Sequence, residues 1–463
     1  MQGLKTTLAS GRFVLCPGRL LLPGGVVEGH AVVVAGGRFV RVGPEAEVCA
    51  EHPNLTPLRL PDHLLMPGLI DAHTHLTQSM GKAWAFGEPS EIFRRIWVPM
   101  EGSLGPEAVH TSTKLAALEA LRGGFTTVVD AGTRSDGGLE AVAQATREAG
   151  VRCVLGAICN DLHHPAGPAA FEVLSLAAQQ HLAQYQNDPL VHPSLAVSIP
   201  EVASDRMLTH VARLSQEAGV PFQTHANEHL VAVERSLVAR GMRPIELLAA
   251  TGALNPSTLL AHATLLTPRE LGQVRDSGAA VAYNPVASQW KGNAVLNAVQ
   301  LHAMGVPFAL GTDGTRYDGF RLMDAAEATQ RLTHGLTTGD SSCGGGWMWV
   351  DHATHLGAQA LGLQKVTGAV AEGLAADFLL LDLDVPELLP SWDLTWELVR
   401  LADRGQVVAV VVQGALRLWQ GWPVDWDARA LMAEVRRLAR DKLVHAPVQR
   451  VHPVADEHRR LWR

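Results

Sequence analysis

The chain lacks most of the features that would mark it for a nucleic acid, a membrane or a secretory route. Its 38 Lys and Arg are outnumbered by 46 Asp and Glu. With no basic excess to attract a phosphate backbone, a small-molecule partner is expected and a nucleic acid is not. No uninterrupted apolar run approaches the roughly 20 residues that span a bilayer. The opening MQGLKTTLASGRFVLCPG carries Lys5 and Arg12 but no continuous apolar region of signal length. The five cysteines (Cys16, Cys49, Cys153, Cys159 and Cys343) are scattered, and none forms a Cys-x-x-Cys pair. Neither a disulfide framework nor a thiolate zinc site is expected, and a cytoplasmic location is. A glycine-rich phosphate loop is missing too, which counts against an open doubly wound sheet. Charged residues make up 18% of the chain and apolar ones 47%, the balance of a compact globular protein.

At 463 residues there is enough chain for one large barrel and an accessory domain. The stretch Met66 to Leu76, MPGLIDAHTHL, organises the rest. An apolar run ends there in His73 and His75. Two residues apart on a strand, both imidazoles point to the same face and can share one metal ion. A bare His-x-His pair is weak evidence. The Pro67-Gly68 break before it, Asp71 and the buried-strand character of the run strengthen it.

Residues 1 to about 65 read as short β segments broken by Gly and Pro. AVVVAGGRFVRVG reads as a hairpin turning at Gly36-Gly37. From His73 onward, strand-length apolar runs alternate with amphipathic helical stretches. After the first strand come FTTVVD, VRCVLGAI, SLAVSIP, VPFQTHA, STLLAHA, AAVAYNP and VPFALGTDG. Between the fourth and fifth, Met207, Leu208, Val211, Leu214 and Ala218 share one helical face. Helix patterns are also expected over 104–122 and 352–363. Alternating strands and helices demand a parallel sheet, and eight units close into a barrel. The expected fold is therefore α/β: a (β/α)8 TIM barrel over 66–369, with a small β-sandwich domain formed by both chain ends, 1–65 and 370–425. A helical, Arg-rich extension follows over 426–463. The Gly/Ser/Thr-rich 335–350 stretch is expected to be flexible and able to lie over the barrel mouth.

In such a barrel the chemistry sits at the carboxyl ends of the strands. His73 and His75 end the first strand, His225 the fifth, His262 the sixth and Asp313 the eighth. Singly, His262 is readable as a core histidine and Asp313 as a turn residue. Together, polar residues ending four otherwise apolar strands are hard to explain as packing. Imidazoles and one carboxylate suit a divalent ion such as zinc or iron with a position open for water. Such an ion brings the pKa of a bound water to about 7. Glu228, three residues after His225, is placed to carry the proton. Its alternative is a carboxylate favoured by a helix N-terminus.

Taken together, MPGLIDAHTHL, FQTHANE, LLAHATLLT, LGTDG, ATHLGAQALGL and GAVAEGLAADFLLLDL resemble the amidohydrolase superfamily. More narrowly, the chain is similar to the chlorohydrolase and aminohydrolase branch, which includes methylthioadenosine and S-adenosylhomocysteine deaminases, guanine deaminase and triazine hydrolases. The resemblance implies one divalent metal, zinc ahead of iron, on His73, His75, His225 and Asp313. It implies Glu228 as proton shuttle to a ring nitrogen and His262 as the residue that polarises the attacked group or orients the hydroxide, with Asp313 doubling as an acceptor for the water proton. It implies hydrolytic deamination of a purine, pterin, pyrimidine or triazine. The same site also serves release of chloride or a substituted amine, or opening of a cyclic amide. An inactive scaffold is the reading from another class. A homodimer rests on family habit.

Substrate contacts are less determined. Glu101 in VPMEGSL lies where the adenosyl-compound deaminases place a glutamate for ribose hydroxyls. Ser198 falls where they carry a substrate-contacting histidine. Tyr283-Asn284-Pro285 replaces a His-Cys-Pro pattern, which makes Asn284 a candidate contact. Gly314 to Asp318 replaces a Ser-Asn segment and introduces Arg316, a candidate for an anionic or carbonyl group. These departures tell against an adenosine-type substrate and leave the metal chemistry intact. A second metal bridged by Glu201 is a minor alternative.

Overall fold

The computed structural model describes residues 2–88, 92–162, 164–339, 342–452 and 454–461. Eight strands form one parallel sheet: β1 (Leu69–Thr74), β2 (Phe125–Asp130), β3 (Arg152–Ile158), β4 (Val191–Val197), β5 (Phe222–Ala226), β6 (Thr258–His262), β7 (Ala280–Tyr283) and β8 (Phe308–Leu310). Each pairs with the next in sequence order, as a (β/α)8 barrel requires. The strands are apolar and buried almost throughout, the pattern of a parallel sheet covered on both faces. All eight expected strand segments are found, with shifted ends.

The β1–β8 seam is closed by polar groups. Asp313 N donates to His73 O at 2.9 Å. The fully buried Asp71 carboxylate takes Thr312 N at 2.9 Å and Thr312 Oγ1 at 2.6 Å. Burial pushes the Asp71 carboxyl up to about 7. Gly311 allows the approach, since a Cβ there would lie 2.2 Å from Asn284 Oδ1. Asp71 thus ties the strand that carries His73 to the loop that carries Asp313.

The helices between strands are amphipathic and capped. In Asp205–Ala218, Ser204 Oγ accepts from Met207 N at the start, and Gly219 closes the end in a left-handed conformation. Its buried face is Met207, Leu208, Val211, Ala212 and Ser215. Ala218, expected on that face, is exposed at the last residue of the helix. The helix expected over 352–363 is two pieces, Gly346–His352 and His355–Ala360, because Thr354 is not helical (φ −129°, ψ −106°).

The two chain ends build one nine-stranded sheet. Pro57–Pro67 lies inside it, parallel to Phe13–Leu22 and antiparallel to Phe378–Asp382. The hairpin at Gly36-Gly37 is present, pairing Ala35 with Arg38. Phe13, Phe39 and Phe378 form the centre of its core. The N-terminal region also holds two helices, Gln2–Ala9 and Glu45–Glu51, where only strands and turns were expected. Leu4 and Leu8, one turn apart, bury the first against the sheet. The helix Ala428–Asp441 starts at Asp427, whose carboxylate accepts from Arg429 N and Ala430 N. Beyond it the chain runs back to the barrel mouth. The buried Glu88 accepts from Val451 N at 2.9 Å and His452 N at 3.2 Å and pairs with Arg95 at 2.9 Å. No helix among the described residues is long and apolar enough to cross a membrane.

Candidate active site

The strand ends converge. His73 lies in β1, His75 one residue past it, His225 in β5, His262 at the end of β6, and Asp313 three residues past β8. Ligand atoms of His73, His225, His262 and Asp313 all lie within 4.8 Å of one another. His75 Nε2 borders the same space, 3.3 Å from His225 Nε2 and 3.4 Å from Asp313 Oδ1. The five sequence-predicted residues are thus one cluster, with His262 as close to its centre as the expected ligands.

Hydrogen bonds set which nitrogen is available. His225 Nδ1 lies 2.7 Å from Ser198 O, which can only accept, so Nδ1 carries the proton and Nε2 offers its lone pair. Asn284 Nδ2 lies 3.2 Å from His262 Nδ1; with that amide donating, neutral His262 carries its proton on Nε2. That Nε2 sits 3.9 Å from Glu228 Oε1. Burial pushes His73 down to about 4, and burial with the neighbouring imidazoles holds His225 well below its usual range. The neutral rings are in the form that binds a metal. His73 Nε2 and His262 Nε2 are buried without a hydrogen-bond partner among the described residues. The His73 nitrogen, orphaned beside a buried carboxylate, fits a divalent cation, while the His262 N–H is left free for a ligand.

The backbone is strained here. His262 (φ 74°), Ala263 (φ 48°), Asn227 (φ 52°) and Asp313 (φ 55°) are all left-handed without being glycine. Such residues cost of order 1–3 kcal/mol each and persist where the surroundings over-determine them.

A cleft of about 850 Å3, counting its open mouth, leads to the cluster. His75, His225, Glu228 and Asp313 are at its floor. One wall comes from the segment after β1, with Gln78, Glu88, Ile92, Phe93 and Trp97. Trp290, Lys291 and Asn293 face it. Residues 340 and 341 of the 335–350 stretch lie outside the described residues, and none of its described residues lines the cleft. The walls come from the long excursion between β1 and β2 and from the loops after β2, β4, β5 and β7.

Lys291 was missed by sequence reasoning. Its Nζ donates to Glu228 Oε1 at 2.8 Å and to Asp313 Oδ2 at 2.6 Å. Burial alone would raise both carboxyls, but Lys291 and the neighbouring imidazoles together outweigh it and hold both ionised. A lysine in the last turn of a short helix, just before Gly292, ordinarily reads as solvent-facing. Only its place directly after β7 hinted otherwise.

The expected substrate contacts separate. Ser198 lines the cleft. Asn284 lies behind His262, 2% exposed, and does not line the cleft. Arg316 is exposed and outside the lining, because its turn points outward while Tyr317 fills the interior. Glu101 is fully buried behind the wall, bonded to Thr77, Gln78 and Arg134, so it is not presented to a ligand. Glu201 pairs with Arg235 at 2.7 Å.

A barrel with this strand-end cluster defines a metal-dependent hydrolase class, and the comparisons agree. The model of the amidohydrolase family matches residues 64–417, and the chain belongs to that family. It is 30% identical over 422 residues to a 5-methylthioadenosine/S-adenosylhomocysteine deaminase of Nitratidesulfovibrio vulgaris (strain DSM 19637 / Miyazaki F), covering 90% of this chain and 94% of the relative. It resembles the zinc-bound crystal structure of an adenosine deaminase from Xanthomonas campestris (TM-score 0.84, 27% identity, 93% of this chain and 98% of that one). The fold is also that of an atrazine chlorohydrolase from Arthrobacter aurescens TC1 (TM-score 0.80, 21% identity, 92% of this chain and 99% of that one).

Proposed function

We propose that the chain hydrolytically deaminates a nitrogen heterocycle and releases ammonia, using one divalent metal, zinc before iron, on His73, His75, His225 and Asp313. The observation that carries this is the convergence of neutral imidazoles and Asp313 beside Glu228 at the floor of an open cleft. When bound, the ion supplies Lewis acidity and lowers the pKa of a coordinated water. Glu228 takes a proton from the attacking water and delivers it to the ring nitrogen beside the attacked carbon. Lys291 orients Glu228 and keeps it ionised until then. His262 donates from Nε2 to the group under attack, and Asn284 holds it in that tautomer. Asp313, tied to Lys291 through Oδ2, accepts the second water proton. Asp313 then passes that proton to the amino group, the carbon–nitrogen bond breaks, and ammonia leaves. The named deaminase relatives favour an amino leaving group over chloride, and the open cleft counts against a scaffold.

The test is elemental analysis of protein purified without chelators, followed by ammonia release from a purine, pterin, pyrimidine and triazine panel. About one zinc or iron per chain is expected. Glu228→Gln is expected to keep the metal and lower kcat by about 10²–10⁴-fold. A folded protein without metal, or a metal-loaded protein inactive on the whole panel, would overturn the reading.

A further inference from the structure

The wall beside His225 carries a set of groups that the deamination chemistry does not use. Ser198 N donates to Asn160 Oδ1 at 2.9 Å. A backbone N–H can only donate, so that amide oxygen is fixed as the acceptor. The amide's Nδ2 must then donate to Ser198 Oγ, at 2.9 Å. Arg134 Nη2 donates to the same Oγ at 3.3 Å. Both lone pairs of the hydroxyl are taken, and its proton has no acceptor among the described residues. Ser198 lines the cleft, so that proton is available to a ligand.

Arg134 also lines the cleft. Its Nη1 donates to Glu101 Oε2 at 2.9 Å, and its guanidinium stacks 4.4 Å from the Phe93 ring centroid. Its Nε is buried without a hydrogen-bond partner among the described residues. Arginine cannot accept a hydrogen bond. Glu101, the carboxylate behind them, is engaged by Thr77 Oγ1 at 2.7 Å, Gln78 Nε2 and Arg134. Ser198 Oγ and Arg134 therefore present donors to the cleft. The guanidinium charge is already matched by Glu101, so a neutral acceptor suits it better than a free carboxylate. Phe93, Trp97 and Trp290 supply flat apolar surface for a planar ring.

We propose that Ser198 and Arg134 form a specificity subsite for a ring carbonyl oxygen, with Glu101 as the positioning residue that holds Arg134, so that the substrate is an amino-oxo heterocycle and not a ribosylated one. This rests on the deaminase reading above and narrows it. A ring nitrogen has one in-plane lone pair and meets only one of the two donors, whereas a carbonyl oxygen meets both, and a sugar hydroxyl pair would find no free carboxylate beside Arg134.

The experiment compares ammonia release from guanine, isocytosine and pterin with that from adenine, adenosine, methylthioadenosine and melamine. The wild type is expected to prefer the first group by at least about tenfold in kcat/KM. Ser198→Ala and Arg134→Met should each raise KM for the preferred member by about tenfold or more, the scale of one lost hydrogen bond to a buried donor. The change in kcat should be smaller and the metal content unchanged. Ser198→Thr, which keeps the hydroxyl, should restore KM. Preference for adenosine or methylthioadenosine, or an unchanged KM in both Ser198→Ala and Arg134→Met, overturns the subsite while deamination stands. If no member releases ammonia, the deaminase reading fails by itself. Pterin binding, followed by its own fluorescence, then decides the subsite: weaker binding by Ser198→Ala and Arg134→Met supports it, and equal binding overturns it.

Discussion

The composite sheet and the barrel mouth are both made from apolar strands, yet they use them in opposite ways. In the sheet the strands finish in apolar contacts. Phe378 meets Phe13 and Phe39 with ring centroids 6.4 and 6.0 Å apart, among buried Val32, Val34, Leu65 and Leu380. At the barrel mouth the strands finish in imidazoles and carboxylates, with left-handed backbone at His262 and Asp313. Three buried imidazole nitrogens there, on His73, His75 and His262, lack hydrogen-bond partners among the described residues. One region stores stability, and the other spends it on geometry. The two are joined by a buried ion pair, Arg152 on β3 with Asp377 at the start of the returning sheet strand, 2.9 Å apart.

The contrast can be broken from either side. The largest effect is expected at the mouth: His225→Ala should abolish metal binding and lower kcat/KM by at least about 10³-fold, the loss of a group on which the attacking water depends. Elemental analysis and steady-state rates read both, and retained metal would contradict the assignment. Next, Phe378→Ala should cost the sheet about 3–5 kcal/mol, read by denaturant unfolding. The folded fraction should keep its metal stoichiometry. Severing the joint by Asp377→Asn should cost about 3 kcal/mol, because Arg152 would be left buried without its counter-charge. The smallest effect is expected far from both: Asp427→Ala removes a helix N-cap and should lower stability by about 1 kcal/mol with unchanged kinetics.

What the sequence disclosed follows the same division. His73, His225 and His262 were legible because a polar residue closing an apolar strand is a local signal, and barrel geometry says which end matters. The hairpin at Gly36-Gly37 was legible for a similar reason, since its turn chemistry is written in adjacent residues. Lys291 and Arg134 were not. Each sits in a loop or a short helix where a basic residue ordinarily faces water. Each acquires meaning only through a carboxylate distant in sequence, Glu228 and Glu101 respectively. Glu101 was noticed, but its fate depended on that unseen partner. The helix Gln2–Ala9 was missed because Gly3, Thr6 and Thr7 are weak helix formers, and packing of Leu4 and Leu8 overrides them.

Glu88 lines the cleft while holding Val451 and His452 by their backbone nitrogens. A wall that begins just after the first barrel strand is therefore braced by a segment 363 residues further along the chain than Glu88. During synthesis the ion-binding residues and all eight strands emerge before the cleft has its complete rim. Until that later segment is made Glu88 lacks two of its donors, so this part of the wall takes its support from far outside the barrel.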